Sequence, residues 1–143
     1  MTQRKSPWWN PSIHQDRRPL LIARNAILAR LRQYFTEDGF VEIDAAALQV
    51  SPGNETHLHA IAANICLPDG GVAPRYLHTS PEFAMKKLLA AGESRIFSLG
   101  HVFRDRERGP LHAAEFTMLE WYRSGDSYER IMQDCVNLLL LAA

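Results

Sequence analysis

The stretch IFSLGHVFRDRERGPLHAAEFTMLEWYR, Ile96 to Arg123, decides how this chain folds. It sets four arginines, four carboxylates and two histidines around a Gly109-Pro110 turn, between two alternating arms. The first arm, Ile96 to Arg104, is apolar with period two, and the second, Glu115 to Arg123, alternates with β-favouring aromatics. That spacing predicts a long β-hairpin with a charged loop. Successive residues of a strand point to opposite sides. Phe97, Leu99 and Phe103 therefore share one face of the first arm. Ser98, Gly100 and Val102 share the other with Arg104, a row of small residues that leaves room beside a cation. On the return arm Phe116, Met118, Glu120 and Tyr122 share one face, and Glu115, Thr117, Leu119 and Trp121 the other. Glu120, embedded among large apolar groups, calls for a partner, because an unpaired buried charge is costly.

Two readings of the loop stand side by side. An arginine-rich connection between strands is ordinarily a solvated tip. An arginine beside small residues, a histidine in the loop and a phenylalanine opening the return strand also suit phosphates and a purine ring.

The run Phe103-Arg104-Asp105-Arg106-Glu107, then His112, then Glu115-Phe116-Thr117-Met118-Leu119-Glu120-Trp121-Tyr122 resembles motif 2 of class II aminoacyl-tRNA synthetases in its lysyl form. Closer still, it resembles the short lysyl-tRNA synthetase paralogues that attach (R)-β-lysine to a lysine of elongation factor P. Ser80-Pro81-Glu82 matches the triplet that this family carries upstream of the motif 2 arginine. The resemblance implies an α+β fold, a class II synthetase-like antiparallel sheet flanked by helices. Residues 19–143 would be its motif 1 and motif 2 part, after an extended arm at residues 1–18, with motif 3 absent. The short arm favours the ligase, since lysyl-tRNA synthetases carry an anticodon-binding barrel ahead of the catalytic domain.

By the same resemblance, a carboxylate of lysine or β-lysine attacks the α-phosphate of ATP, and the activated acyl group then passes to an amine. Arg104 would hold the α-phosphate and the substrate carboxylate, a task suited to a planar, permanently charged fork. Asp105, Arg106 and Glu107 would belong to the ATP contacts, His112 would approach the γ-phosphate, and Phe116 would stack on adenine. Ser80, Pro81, Glu82 and Tyr122 would line the amino-acid pocket, with Glu82 on an ammonium. Mg2+ on the phosphates is implied, held by carboxylates mostly beyond residue 143. The acceptor is elongation factor P, or tRNA if the chain is a lysyl-tRNA synthetase fragment; a third reading is a catalytically silent module that binds or dimerises. The sequence departs from the family where Arg106 replaces a glutamate, the acid coming one later at Glu107. Glu107 can serve only if the loop has left the strand by then. It departs again at Ala113-Ala114, in place of Asn-Pro, and at Ala46, in place of a motif 1 proline. Weakened or altered nucleotide contacts are expected. A homodimer through the helix and strand of residues 19–46 is implied by motif 1.

The totals allow one domain: 143 residues, 46% hydrophobic and 22% charged. Sixteen basic and sixteen acidic residues balance, which argues against a strong non-specific grip on polyanions and leaves a local phosphate site open. Cys66 and Cys135 stand in no metal or redox spacing and read as reduced, buried small hydrophobes. With no leader and no run of about 18 apolar residues, a cytoplasmic protein without membrane partners is expected.

Along the chain, Trp8 and Trp9 are expected to pin the arm onto a neighbour. An amphipathic helix is predicted from Pro19 to Asp38, closed by Gly39, and a strand from Phe40 to Asp44. His57 and His59 share a strand face with no third ligand, so no metal is assigned, and nothing local supports a role for Glu55. Pro68-Asp69-Gly70-Gly71 marks a hairpin tip before a strand at Arg75 to His78. Thr79 to Glu82 forms a capping-box pattern that alone explains those residues, opening a helix that ends at Gly92 with Lys86 and Lys87 solvated. The helix after Asp126-Ser127 turns apolar on all sides and would want burial, so the polypeptide is expected to continue. Residues 1–143 alone are expected to show no ATP–pyrophosphate exchange.

Overall fold

Asn10 opens the first helix. Its side-chain oxygen accepts hydrogen bonds from the Ser12 N–H at 3.1 Å and the Ser12 hydroxyl at 2.7 Å, and Pro11 takes the first helical position, where no N–H is needed. In the computed structural model, which describes residues 7–143, helix α1 runs Pro11–Glu37. Residues 11–18 are therefore helical and not an extended arm; residues 1–6 lie outside the described residues. Pro19 sits inside α1 on an exposed flank, where solvent can meet the carbonyl that a proline leaves unpaired. Trp8 and Trp9 do not pin onto a neighbour as expected: they are 65% and 66% exposed and meet each other edge to face at 5.7 Å.

After Gly39, at φ +77°, come β1 (Val41–Glu42), β2 (Leu48–Gln49), β3 (Ala62–Cys66), β4 (Val72–Leu77), α2 (Glu82–Ala90), β5 (Arg95–Phe103), β6 (Glu115–Arg123) and α3 (Tyr128–Ala142). One sheet has the order β1-β5-β6, with β1 parallel to β5 and β6 antiparallel to it; the other has the order β2-β4-β3 and is antiparallel. This is the α+β arrangement of the expectation. The predicted strand at residues 40–44 shrinks to β1, and His57 to His59 forms no strand: His59 makes a single bridge to Asp105. The thiols are free but exposed, not buried, because Cys66 points outward at the end of edge strand β3 and Cys135 lies on the open side of α3.

Phe35–Ser127 forms one compact unit, and the residues up to Tyr34 with Tyr128–Ala143 form a second. In the first, Phe35 is fully buried and stacks on Phe97 at 4.8 Å, with Phe40 edge-on at 5.0 Å and Trp121 at 5.7 Å. Phe97 and Trp121 face each other across the strands, so one face of the β5–β6 hairpin supplies this aromatic core. Arg123, also buried, lies over the Phe40 ring at 4.5 Å, bonds Asp38 and reaches Asp126 at 3.4 Å. Arg95, its cross-strand neighbour, stands 3.9 Å from the same two aspartates. In the second unit the fully buried Asp134 accepts the Tyr34 hydroxyl at 2.8 Å, and Tyr34 accepts from the Asn137 amide at 3.2 Å. Helix α3 buries Asp134 and Leu138 while Met132, Leu139 and Leu140 stay exposed, so its apolar circumference is not covered by the described residues.

Gly53 approaches the strand-to-helix junction before α2. It has φ +152°, and a Cβ there would stand 2.8 Å from the Thr79 hydroxyl, which donates to the Pro52 carbonyl at 3.1 Å.

Arg123→Met should lower the unfolding free energy by about 2 kcal/mol, below the cost of breaking a fully buried pair because the aspartates keep part of their hydration; an unchanged urea midpoint would refute it. Gly53→Ala should cost about 1–3 kcal/mol, from the unfavourable φ and the displaced Thr79 hydroxyl, read from the same titration.

Candidate active site

The register of β5 and β6 pairs Ile96 with Tyr122, Ser98 with Glu120, Gly100 with Met118 and Val102 with Phe116. Directly opposed residues share a face, so the small row and the Phe-Met-Glu-Tyr row form one surface, opposite the aromatic core. Its Ser98 and Val102 are buried and only Gly100 is open, because Asp44, Ala45, Ala47, His78 and Pro81 roof part of it over a cavity of about 250 Å³.

At one end of this surface is Glu120. Its Oε1 accepts the Tyr122 hydroxyl at 2.5 Å and its Oε2 accepts the Ser80 hydroxyl at 2.7 Å. Burial pushes the Tyr122 hydroxyl well above its ordinary pKa, and the Glu120 acceptor and charge reinforce this, so Tyr122 stays a neutral donor. The sequence signal for Glu120 was its position as the one acid in an apolar row. Its partner Ser80 belongs to the junction before α2.

At the other end is Arg104, one residue past β5. Its N–H donates to the Ala114 carbonyl at 2.8 Å, its Nε donates to the Thr79 carbonyl at 3.3 Å, and its guanidinium carbon lies 5.3 Å from the Phe116 ring centroid. Arg104, Phe116, His112, Glu107, Ala113 and Leu111 line a cavity of about 350 Å³. Asp105 and Arg106 are exposed and do not line it. Arg106 adopts φ +65°, its N–H donating to the Asp105 carboxylate at 2.9 Å. The chain has left the strand here, and the residue after this left-handed turn, Glu107, lines the cavity.

Of the amino-acid residues read from the sequence, Ser80 and Tyr122 meet at Glu120, whereas Glu82 is bonded to Lys86, Oε1 to Nζ 2.5 Å, near enough for its charge to act on the Tyr122 hydroxyl. Lys86 is thus exposed but paired, not merely solvated. The capping box centred on Thr79 does not form. Pro81 is the N-cap residue, the Ser80 hydroxyl accepts the Glu82 N–H at 3.0 Å, and Thr79 is drawn to Pro52 instead. Pro81 is buried and forms part of the roof of the 250 Å³ cavity. Ser80, Glu82 and Glu55 share only a recess of about 10 Å³. A larger groove of about 590 Å³, lined by Trp8, His14, Arg17 and Leu20 among others, contains none of the residues predicted for the site. Among the described residues no group of three or more His, Cys, Asp or Glu could hold a metal ion, and no helix is long and apolar enough to cross a membrane.

The surface therefore carries a cation beside an aromatic ring at one end and a carboxylate held by two hydroxyls at the other. Comparison with known proteins places the chain in a family. Residues 4–141 match the family described as tRNA synthetases class II (D, K and N). The chain is 40% identical over 135 residues to an elongation factor P–(R)-β-lysine ligase of Vibrio vulnificus, covering 93% of this chain and 41% of that protein. Proteins of the same name from Pasteurella multocida and Haemophilus ducreyi are 39% and 42% identical, covering 92% and 83% of this chain and 40% and 37% of theirs. The chain thus spans about two fifths of the length of the relatives it matches. With the match running over nearly all of its residues, the chain belongs to the class II tRNA synthetase family.

Proposed function

We propose that the protein carrying this chain is an ATP-dependent ligase that activates lysine or (R)-β-lysine as its adenylate and transfers it to a lysine of elongation factor P. The observation that supports this best is the Glu120 carboxylate, held by Ser80 and Tyr122 on the face that also carries Arg104 and Phe116. Such a face suits a substrate with an ammonium at one end and a carboxylate to be joined to a phosphate at the other. The names of the relatives point to the same reaction.

In this reading Glu120 receives the substrate ammonium, and the Ser80 and Tyr122 hydroxyls fix which way its lone pairs point. Arg104 draws the α-phosphate and the substrate carboxylate together; Thr79 and the Phe116 ring limit its freedom, so little ordering remains to be done on binding. Phe116 offers its face to adenine, His112 stands toward the outer phosphates, and Glu107 does the work expected of the glutamate that Arg106 replaces. Asp105 acts on Arg106 and not on the nucleotide. Pro81 and Glu82 shape the wall behind Ser80. Magnesium accompanies ATP, with no residue assigned to it and no step drawn through it. The protein is cytoplasmic, and α1, which exposes Leu20, Leu21 and Ile22, is the surface for a homodimer. The description of the matched family also covers lysyl-tRNA synthetases, which keeps tRNA as the alternative acceptor.

The deciding experiment offers the protein ATP, (R)-β-lysine and elongation factor P, and follows the mass of elongation factor P. Gain of one β-lysyl group is the expected result. Charging of tRNA in its place makes the protein a lysyl-tRNA synthetase, and ATP binding with neither product makes the chain a silent module. Within the site, Phe116→Ala and Glu107→Ala should each weaken ATP binding roughly tenfold in a fluorescent-nucleotide titration, as loss of stacking or of one charged hydrogen bond does. Arg106→Ala should leave it within about twofold; an equal loss at Arg106 and none at Glu107 would show that the left-handed turn does not exchange their roles.

A further inference from the structure

Strand β1 pairs with β5 only at Ile96 and Phe97, and the next link on that edge is the Ile43 N–H to the Phe97 carbonyl at 2.7 Å. Farther along β5 the same edge is met at His101 and Phe103 by a single residue, His78. The His78 carbonyl accepts the Phe103 N–H at 3.0 Å, and its ring Nε2 stands 2.8 Å from the His101 carbonyl. A carbonyl can only accept, so the ring proton is on Nε2 and His78 donates. His78 is 5% exposed, its own N–H donates to the Ala47 carbonyl at 2.9 Å, and its Nδ1 has no partner among the described residues. A side chain and a main-chain oxygen thus occupy two successive ladder positions that a neighbouring strand would otherwise fill.

The two residues that follow His78 hold the two ends of the site. The Thr79 carbonyl takes the Arg104 Nε, and the Ser80 hydroxyl is bonded to Glu120. Whatever fixes His78 on the β5 edge therefore fixes both contacts, since neither of the next two residues can shift without it. We propose that His78 is a positioning residue: its Nε2–H bond to the His101 carbonyl sets the Thr79-Ser80 peptide from which Arg104 and Glu120 are both held. The use of those two side chains in catalysis rests on the function proposed above; the clamp itself does not.

The test uses the whole 143-residue chain without ligand. The first measurement needs no variant: a long-range ¹H–¹⁵N spectrum should place the His78 ring proton on Nε2, and a proton on Nδ1 overturns the proposal. The second compares His78→Gln, whose amide nitrogen can reach the place of Nε2, with His78→Asn, whose amide cannot. Exchange of the Arg104 Nε–H with solvent should speed up roughly tenfold in the Asn variant and return to within about threefold of the original in the Gln variant, as loss and recovery of one hydrogen bond require. The Trp121 indole N–H, on the core face, serves as the control for general loosening. Equal protection of Arg104 in both variants overturns the proposal, as does equal loss at Arg104 and Trp121. An ATP titration of the protein that carries this chain runs alongside; failure there counts against the proposed function, while the Arg104 readout still decides the clamp.

Discussion

The pairing of β5 with β6, residue against residue from Arg95↔Arg123 to Phe103↔Glu115, is the constraint on which the rest depends. Strand side chains alternate without exception, so this register sends Phe97 and Trp121 to one side and Glu120, Tyr122 and Phe116 to the other. A slip of one residue would press Glu120 against Phe35 and turn Trp121 into the site. The stacking of Phe35 on Phe97 opposes such a slip from the core side, and the Arg95, Arg123, Asp38 and Asp126 cluster opposes it at the strand end. The core and the site are thus the two faces of a single choice of register, and a change that loosens one is felt at the other.

Beyond the strands the chain solves a different problem. The acid that the family sets two residues after the arginine comes one later in this sequence, and within a strand it would point to the wrong side. Arg106 avoids that by leaving the strand through the left-handed region, at a cost of roughly 1–2 kcal/mol for a residue with a Cβ. The Asp105 carboxylate, bonded to the Arg106 N–H, offsets part of that cost. Glu107 consequently lines the cavity with Arg104, and Arg106 faces solvent.

What could be read from the sequence follows the same division between local pattern and distant contact. The hairpin was legible almost to the residue, because both of its faces are engaged and the alternation is strong. The Gly-rich tip before β4, helix α2 and the start of α3 were legible from turn and cap residues. The start of α1 was missed because Pro19 reads as a boundary, while the better signal, Asn10 capping ahead of Pro11, lay in a stretch that looked like a tail. The cap at α2 was placed two residues early, at Thr79 where Pro81 stands, since Thr79 and Ser80 are equal candidates by type, and only the closeness of Pro52 and Gly53 draws Thr79 away. The burial of Asp134 had no local sign at all: its partner Tyr34 lies at the far end of the chain. Glu120 was half legible, as an acid needing a partner whose identity depended on where another element ends.

Arg104 and Glu120 are of opposite charge and are held by adjacent residues, yet no ion pair joins them. Each is tied to neutral groups instead, the arginine to a carbonyl and a ring face, the glutamate to two hydroxyls. Neutral partners orient a charge without cancelling it, whereas a direct pair would satisfy both groups and close the surface between them. The gap is then set by the Thr79–Ser80 peptide, and both charges stay available to one ligand that carries the complementary pair. Under the proposed function, a ligand with only one of the two charges leaves the other end facing a poorly hydrated partner, so an arrangement suited to an amino acid discriminates against a simple amine or a simple carboxylic acid.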